Sequence, residues 1–230
     1  MKFFRFSLRI SRILLVLTTL SFGYCSFAHN KSYTKIDPEI YHSHKCYSLF
    51  RFYEAKYKIP KNILFAISLK ETGKPHSIYK KNIVWPWSAN IDGQSYIFKN
   101  KSEAVRFIKL AKKVGKKSID IGCMQINSMH HPYAFSTVEQ SFDPKANINY
   151  AAYFLATKYK ELGDWNLAIS HYHSATPKLG SKYYKDVSII LKNIMNHHEL
   201  FKPKYYMADS RKNSDFSDSS RNTNYYKKIK

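Results

Sequence analysis

Apolar residues fall into separate runs along this chain, each at helical or strand spacing and each closed by proline, glycine or a capping side chain. From Pro38 to Tyr57, Cys46, Leu49, Phe50 and Tyr53 recur at a helical period, which predicts a first helix. A second runs from Pro60 to Thr72, because proline suits a first turn and Gly73 followed by Pro75 is a stop. Leu64 and Ile67 precede Glu71 by seven and four positions, so the three share one face of this helix, the apolar one. A carboxylate stands where a core residue belongs.

The period then changes. Val84 to Phe98 holds two short runs around Asp92-Gly93, a pair that tolerates the positive φ of a type I′ turn, and a hairpin is predicted there. Asn100-Lys101-Ser102-Glu103 reads as a capping box opening a helix that turns Ala104, Phe107, Ile108 and Ala111 inward and stops at Gly115. Ile119 to Asn127 is expected to be a glycine-led turn running into a short helix, with Gly122 permitting close backbone approach. Asp143-Pro144 starts a longer helix that buries Ala151, Phe154, Leu155 and Tyr159 and closes at Gly163. Asp164 caps the next, carrying Trp165, Ala168, Ile169 and Tyr172 and ended by Pro177. Gly180-Ser181 introduces the last, through Tyr184, Val187, Ile190, Leu191 and Ile194. The expected fold is mainly α: a compact helical domain with a small β-hairpin insert at about 84–99 and no internal repeat.

Residues 1–28 read as a signal peptide rather than as part of this domain. Lys2, Arg5, Arg9 and Arg12 form a basic start, Ile13 to Phe22 an apolar run too short to span a bilayer comfortably, and Ser26-Phe27-Ala28 a small-x-small cleavage site. A lipid-modified Cys25 is the alternative, disfavoured because bulky Tyr24 precedes it. The domain is assigned to 29–202. From 203 to 230 apolar periodicity fades into a polar, serine- and asparagine-rich tail that is expected to be disordered.

Charge and cysteines narrow the partners. Of a formal charge of +22, four positives belong to the leader, and the 230 − 28 = 202 residues after it keep about +18. An anionic partner is expected. For an exported protein, wall glycan with its carboxylate-bearing stem peptides, or an acidic membrane surface, is nearer than nucleic acid, for which no recognition motif is present. Compositional bias toward lysine, asparagine, isoleucine and tyrosine accounts for part of the charge. Cys46 and Cys123 remain, and an oxidising compartment would let them pair, although their spacing does not imply it. Two cysteines alone make no zinc site, and His171 and His173 point to different sides of a helix, so neither metal nor cofactor is expected.

The chemistry centres on Glu71. A glutamate partly buried beside apolar side chains has its charged form disfavoured and holds a proton toward neutral pH. The helix alone leaves open whether Glu71 instead ends it in solvent. Trp85 and Trp87, flanking Pro86, either offer ring faces to a sugar groove or pack the hairpin core.

Three separated stretches stand in order: Leu69-Lys70-Glu71-Thr72-Gly73, Gly122-Cys123-Met124-Gln125-Ile126-Asn127, and Ala168-Ile169-Ser170-His171-Tyr172-His173-Ser174-Ala175. Together they resemble the soluble lytic transglycosylase family, whose goose-type lysozyme-like helical fold carries Glu-Ser, Gly-Leu-Met-Gln and Ala-Tyr-Asn-Ala-Gly-like motifs in this order. The resemblance covers roughly residues 40 to 195, and the hairpin insert looks like the branch associated with type IV secretion and conjugation.

That resemblance implies a periplasmic lyase that needs no cofactor. It would cleave the β-1,4 bond between N-acetylmuramic acid and N-acetylglucosamine in peptidoglycan, leave a 1,6-anhydromuramoyl end, and open the wall for an envelope-spanning secretion system. Its partners would be glycan strands and components of that system, with no nucleic acid, and with the membrane met only through the signal peptide. Glu71 would be the single acid and base. Thr72, Met124, Gln125, Asn127 and Tyr172 would line the substrate site, with Gln125 holding the acetamido sugar and Tyr172 orienting Glu71 or contacting the N-acetyl group. Thr72 replaces the usual serine, Cys123 the usual leucine, and Tyr172-His173-Ser174-Ala175 departs from the commoner asparagine and glycine. Lys145 after Asp143-Pro144 replaces the cysteine with which some relatives pair an early one. Two alternatives stand beside this reading. One is a hydrolytic lysozyme of the same fold, for which Asp92 and Asp120 are the candidate second carboxylates. The other is a glycan-binding scaffold of a secretion apparatus without catalysis.

Overall fold

The computed structural model describes residues 37–196. The expected leader and polar tail lie outside them. The first helix, α1 (Pro38–Lys56), begins where Asp37 accepts the backbone N–H groups of Glu39 and Ile40 at 2.8 and 3.3 Å. Its inward face carries Ser43, Cys46, Phe50, Tyr53 and Glu54.

Helix α2 (Ile63–Thr72) starts three residues later than the sequence predicts. Asn62 lies in the left-handed region at φ 70° and makes no side-chain cap, so the helix cannot extend back to Pro60. A cap comes from another helix instead: Glu54 of α1 accepts the N–H of Leu64 at 3.0 Å. Every residue from Ile63 to Leu69 is buried. The expected one-faced helix is therefore enclosed on all sides, and only at Lys70 does it reach the surface.

A two-stranded ribbon, β1 (Lys74–Pro75) with β2 (Asn82–Ile83), follows. The predicted hairpin is present as β3 (Ser88–Ile91) and β4 (Gln94–Ile97), turning through Asp92 at φ 50° and Gly93 at φ 88°. Its continuation departs from expectation. The residues after Gly122 form no helix: β5 (Ile119–Ile121) and β6 (Ile126–Asn127) make a second hairpin, and the sheet runs β4-β3-β5-β6, antiparallel throughout. Four residues between Ile121 and Ile126 are too few for a stable helix, and β5 finds an open edge on β3. Ala89 pairs with Ile121 and Ile91 with Ile119 on one face; Asn90 and Asp120 pair on the other.

Helix α3 (Lys101–Lys113) closes over the apolar face through Ala104 and Ile108. Asn100 caps it as predicted, accepting from the N–H of Glu103 at 2.9 Å, while Glu103 reaches back to the N–H of Lys99. After the single-turn α4 (Val138–Ser141) comes α5 (Pro144–Leu162), capped by Asp143 and ended by Gly163. Tyr159 is not buried in it; its ring stacks on Trp165 at 4.0 Å, outside the core. Helix α6 (Trp165–His173) follows its Asp164 cap. Pro177 opens α7 (Pro177–Asn196) rather than only ending α6, and Gly180 sits inside α7 against α6.

Two buried clusters result. Helices α1, α2, α5, α6 and α7 enclose one; the sheet and α3 enclose the other. Trp85 and Trp87 belong to the second, buried, with Trp85 Nε1 donating to the Phe98 carbonyl and Trp87 Nε1 to His42 Nδ1. Of the two readings left open for this pair, core packing is the one realised.

Candidate active site

Glu71 lies in the last turn of α2, and Gly73 ends that helix. A Cβ on Gly73 would come 2.3 Å from the Leu69 carbonyl, so only glycine allows the chain to leave so tightly. Glu71 is half-buried, between exposed Lys70 and buried Thr72. Burial pushes Glu71 up from its usual range to about 7. A hydrogen bond from Tyr183 opposes that rise, the negative charge of Asp120 adds to it, and Lys70 opposes it.

The orienting hydroxyl comes from a residue that the motifs did not indicate. Tyr183 Oη donates to Glu71 Oε1 at 2.5 Å. Tyr172, expected to orient Glu71 or contact the N-acetyl group, donates to the Met124 carbonyl at 2.8 Å. Burial raises both tyrosine hydroxyls well above their ordinary range, so both remain donors. His173 stacks flat on the Tyr183 ring at 4.7 Å and fixes its plane. A signal for Tyr183 existed: reading the last helix backward from Val187 by four positions reaches it, and both are buried.

The turn Gly122–Gln125 packs against the end of α2 that carries this acid. Gly122 has φ 80°, and a Cβ there would meet the Asn147 side chain at 2.7 Å. Cys123 is bonded to Cys46 of α1, the disulfide that spacing left undecided. Its carbonyl accepts Ser68 Oγ at 2.7 Å and lies 3.5 Å from Thr72 Oγ1. Buried Asn147 accepts the N–H of Met124 at 2.9 Å and donates to the carbonyls of Ile121 and Ser141 at 2.8 and 3.0 Å. Gln125 sits at φ 47°, and its amide nitrogen donates to the carbonyls of Gly122 and Ser88. A non-glycine residue is seldom left-handed, and that conformation concentrates at functional turns.

Several residues expected to touch substrate have other employment. Thr72 is buried, donating to the Ser68 carbonyl and accepting from the N–H of Trp85. The Met124 side chain is fully buried, and its backbone N–H and carbonyl are both engaged. Asn127 donates to Ser118 and Asp120 and accepts from the N–H groups of Met129 and His130, which saturates its amide. The polar groups of these three are thus spent within the protein. Gln125 alone among the turn residues keeps a side-chain acceptor, Oε1, for a ligand.

Of the two candidate second carboxylates, Asp92 is at the hairpin tip, exposed and paired with Lys116 at 2.8 Å. Asp120 projects from the polar face of the sheet, close enough to raise Glu71. Its own carboxyl is raised by burial and steadied by the Asn127 amide.

A separate cluster, Asp37, Glu39 and His76, brings three potential ligand atoms within 4.8 Å. It does not fit a metal. His76 Nδ1 accepts the N–H groups of Ile78 and Tyr79, which leaves the ring proton on Nε2, buried 3.3 Å from Asp37 Oδ2 but without a hydrogen-bond partner among the described residues. Lys74 occupies the Glu39 carboxylate. The group ties the start of α1 to the β1–β2 ribbon.

The transglycosylase SLT domain family matches residues 48–186, more than half of the chain. No curated protein and no solved structure matches it.

Proposed function

We propose that this chain, which belongs to the transglycosylase SLT domain family and so carries lytic transglycosylase-type activity on peptidoglycan, uses Glu71 as sole acid and base on the MurNAc-β-1,4-GlcNAc bond. The observation that carries this reading is the carboxylate of Glu71, raised to about 7 and oriented by the Tyr183 hydroxyl; Glu54, which burial raises to a similar value, is buried and spent on capping α2 through the Leu64 N–H. An acid that must also serve as base works best with a pKa near the operating pH.

The protonated Glu71 donates to the glycosidic oxygen as the C1–O bond breaks. The carbonyl oxygen of the substrate's own N-acetyl group bonds C1 from the opposite face and takes up the developing positive charge. The ionised Glu71 then accepts the proton of the C6 hydroxyl, O6 attacks C1, and the acetamido oxygen leaves. A 1,6-anhydro ring forms, Glu71 is again protonated, and no water is consumed. Gln125, whose amide nitrogen is spent on the Gly122 carbonyl, accepts the acetamido N–H through Oε1, while Tyr183 holds the carboxylate on its target through both steps.

One observation favours a second reading. Asp120 beside Glu71 supplies the second carboxylate that a hydrolase requires. Mass spectrometry of muropeptides from digested peptidoglycan separates the two: transglycosylation leaves 1,6-anhydromuramoyl ends, hydrolysis leaves reducing ends. Reducing ends alone would move the assignment to Asp120-assisted hydrolysis. Glu71→Gln tests catalysis itself: a glycan-binding scaffold carrying this substitution would still restore secretion to a deletion strain, whereas the enzyme would lose muropeptide release.

The setting we assign is the periplasm, supported by the leader-like residues 1–28, and the role is opening the wall for an envelope-spanning secretion system, supported by the resemblance carried by the hairpin insert. A deletion strain that secretes normally would remove that role and leave the chemistry standing.

A further inference from the structure

Segment 99–117 carries eight lysines and arginines against one carboxylate, Glu103. Most of it is α3. Of these eight, only Lys109, with Glu139, and Lys116, with Asp92, have an ion-pair partner among the described residues; Lys99, Lys101, Arg106, Lys112, Lys113 and Lys117 have none there. The same helix exposes an apolar strip. Phe107, Leu110 and Val114, spaced three and four apart, are 37, 58 and 76% exposed, directly beside Arg106, Lys109 and Lys113 on the outer side.

This surface does not serve the cleft. Strand alternation puts Ile119 and Ile121 on the sheet face under α3 and Asp120, which acts on Glu71, on the opposite face. The outer side of α3 lies beyond the helix, one layer further from Glu71.

We propose that the outer face of α3 docks on an anionic lipid surface, with the cations meeting headgroup phosphates and Leu110 and Val114 entering the headgroup boundary. Charge complementarity selects the partner class, and the apolar strip selects among polyanions: a nucleic acid offers no apolar phase for exposed Leu110 and Val114, whereas a basic helix with apolar side chains alongside suits a bilayer interface. Lysine and arginine stems can lie along the boundary while their heads stay in water. No described helix is long and apolar enough to span a membrane, so the contact is peripheral. The membrane would then be met by the folded domain itself and not only through the leader, and the cleft, on the other side of the sheet, would face away from the lipid toward the wall.

The test uses the chain from residue 29 onward, which retains every described residue, and vesicles of phosphatidylglycerol mixed with phosphatidylcholine or of phosphatidylcholine alone. Binding to the anionic vesicles is expected to be at least about tenfold tighter than to the neutral ones and to weaken with salt. Arg106→Glu with Lys113→Glu should reduce it by about fivefold or more for each cation removed. Leu110→Ser with Val114→Ser should weaken it several-fold at fixed salt, and the emission of a Leu110→Trp variant should shift to the blue on the anionic vesicles. All of these positions are exposed, so circular dichroism and muropeptide release from soluble wall fragments should match those of the unmodified chain. Absence of binding to phosphatidylglycerol vesicles overturns the proposal. So does binding that is indifferent to the serine pair with no emission shift, or affinity for duplex DNA exceeding that for the vesicles; either marks a purely electrostatic surface.

Discussion

Tyr183 Oη lies 2.5 Å from Glu71 Oε1, joining the middle of α7 to the end of α2 across 112 positions of sequence. The hydrogen bond stabilises the ionised carboxylate and fixes its direction. Tyr183→Phe should therefore have two separable effects. Loss of orientation should lower kcat by about one to two orders of magnitude, and loss of the hydrogen bond should move the alkaline limb of the pH profile upward. Unchanged position of that limb with full loss of activity would indicate that the variant has disturbed the fold instead.

Activity should depend on Glu71 being protonated for the first step. With a pKa of about 7, the rate of bond cleavage should fall as pH rises through that value. The negative charge of Asp120 helps keep the proton on Glu71, so Asp120→Asn should shift this limb to lower pH. Measuring initial rates of muropeptide release between pH 5 and 9, a range set by about two units either side of that pKa, reads the shift directly.

The same group should act against stability. Its folded pKa lies above the ordinary carboxylate value of 4.5, so the folded state binds the extra proton and stability declines as pH rises from about 4.5 through about 7. Glu71→Gln removes the buried charge. It should abolish activity and raise stability at pH 8 by about 2 kcal/mol, less than the full shift because Glu71 is only half-buried. At pH 4 the difference should be small. Denaturant melts of both proteins at the two pH values check this, and equal melts at pH 8 would show that Glu71 is solvated like an ordinary surface residue.

The Cys46–Cys123 disulfide closes a loop of 77 positions, which by chain entropy corresponds to about 4 kcal/mol. Cys46→Ala should lower stability by an amount of that order. It should also loosen the Gly122–Gln125 turn, raising KM before it lowers kcat. Comparing the oxidised chain with Cys46→Ala in urea melts and in glycan titrations separates the two losses; a full-strength KM in a destabilised variant would show that Asn147 and Ser68 hold the turn alone.

Much of this molecule is legible in the sequence because its information is local. Asp37, Asn100, Asp143 and Asp164 each cap the helix immediately following, and Asp92-Gly93 turns the hairpin between its own strands, so short windows contain both partners of each interaction. Glu71 was legible for the same reason: its apolar neighbours lie on its own helix. The misreadings are the places where the partner is remote. The stretch after Gly122 looked helical by itself, but the edge of β3 turned it into strands. Pro60 looked like a helix start, but the left-handed Asn62 and the Glu54 cap from α1 moved that start to Ile63.

By itself the sequence determined the helical class, the caps and the carboxylate at the end of α2, all of which follow from side-chain period and backbone sterics within a few residues. Only the tertiary structure decided what that carboxylate is. Burial raises Glu71, Tyr183 aims it, Asp120 biases it, and the turn pinned by Cys46 and Asn147 packs against the end of α2 that carries it. Each of those effects depends on distance in space, falls off within a few ångströms, and joins residues that the chain keeps far apart.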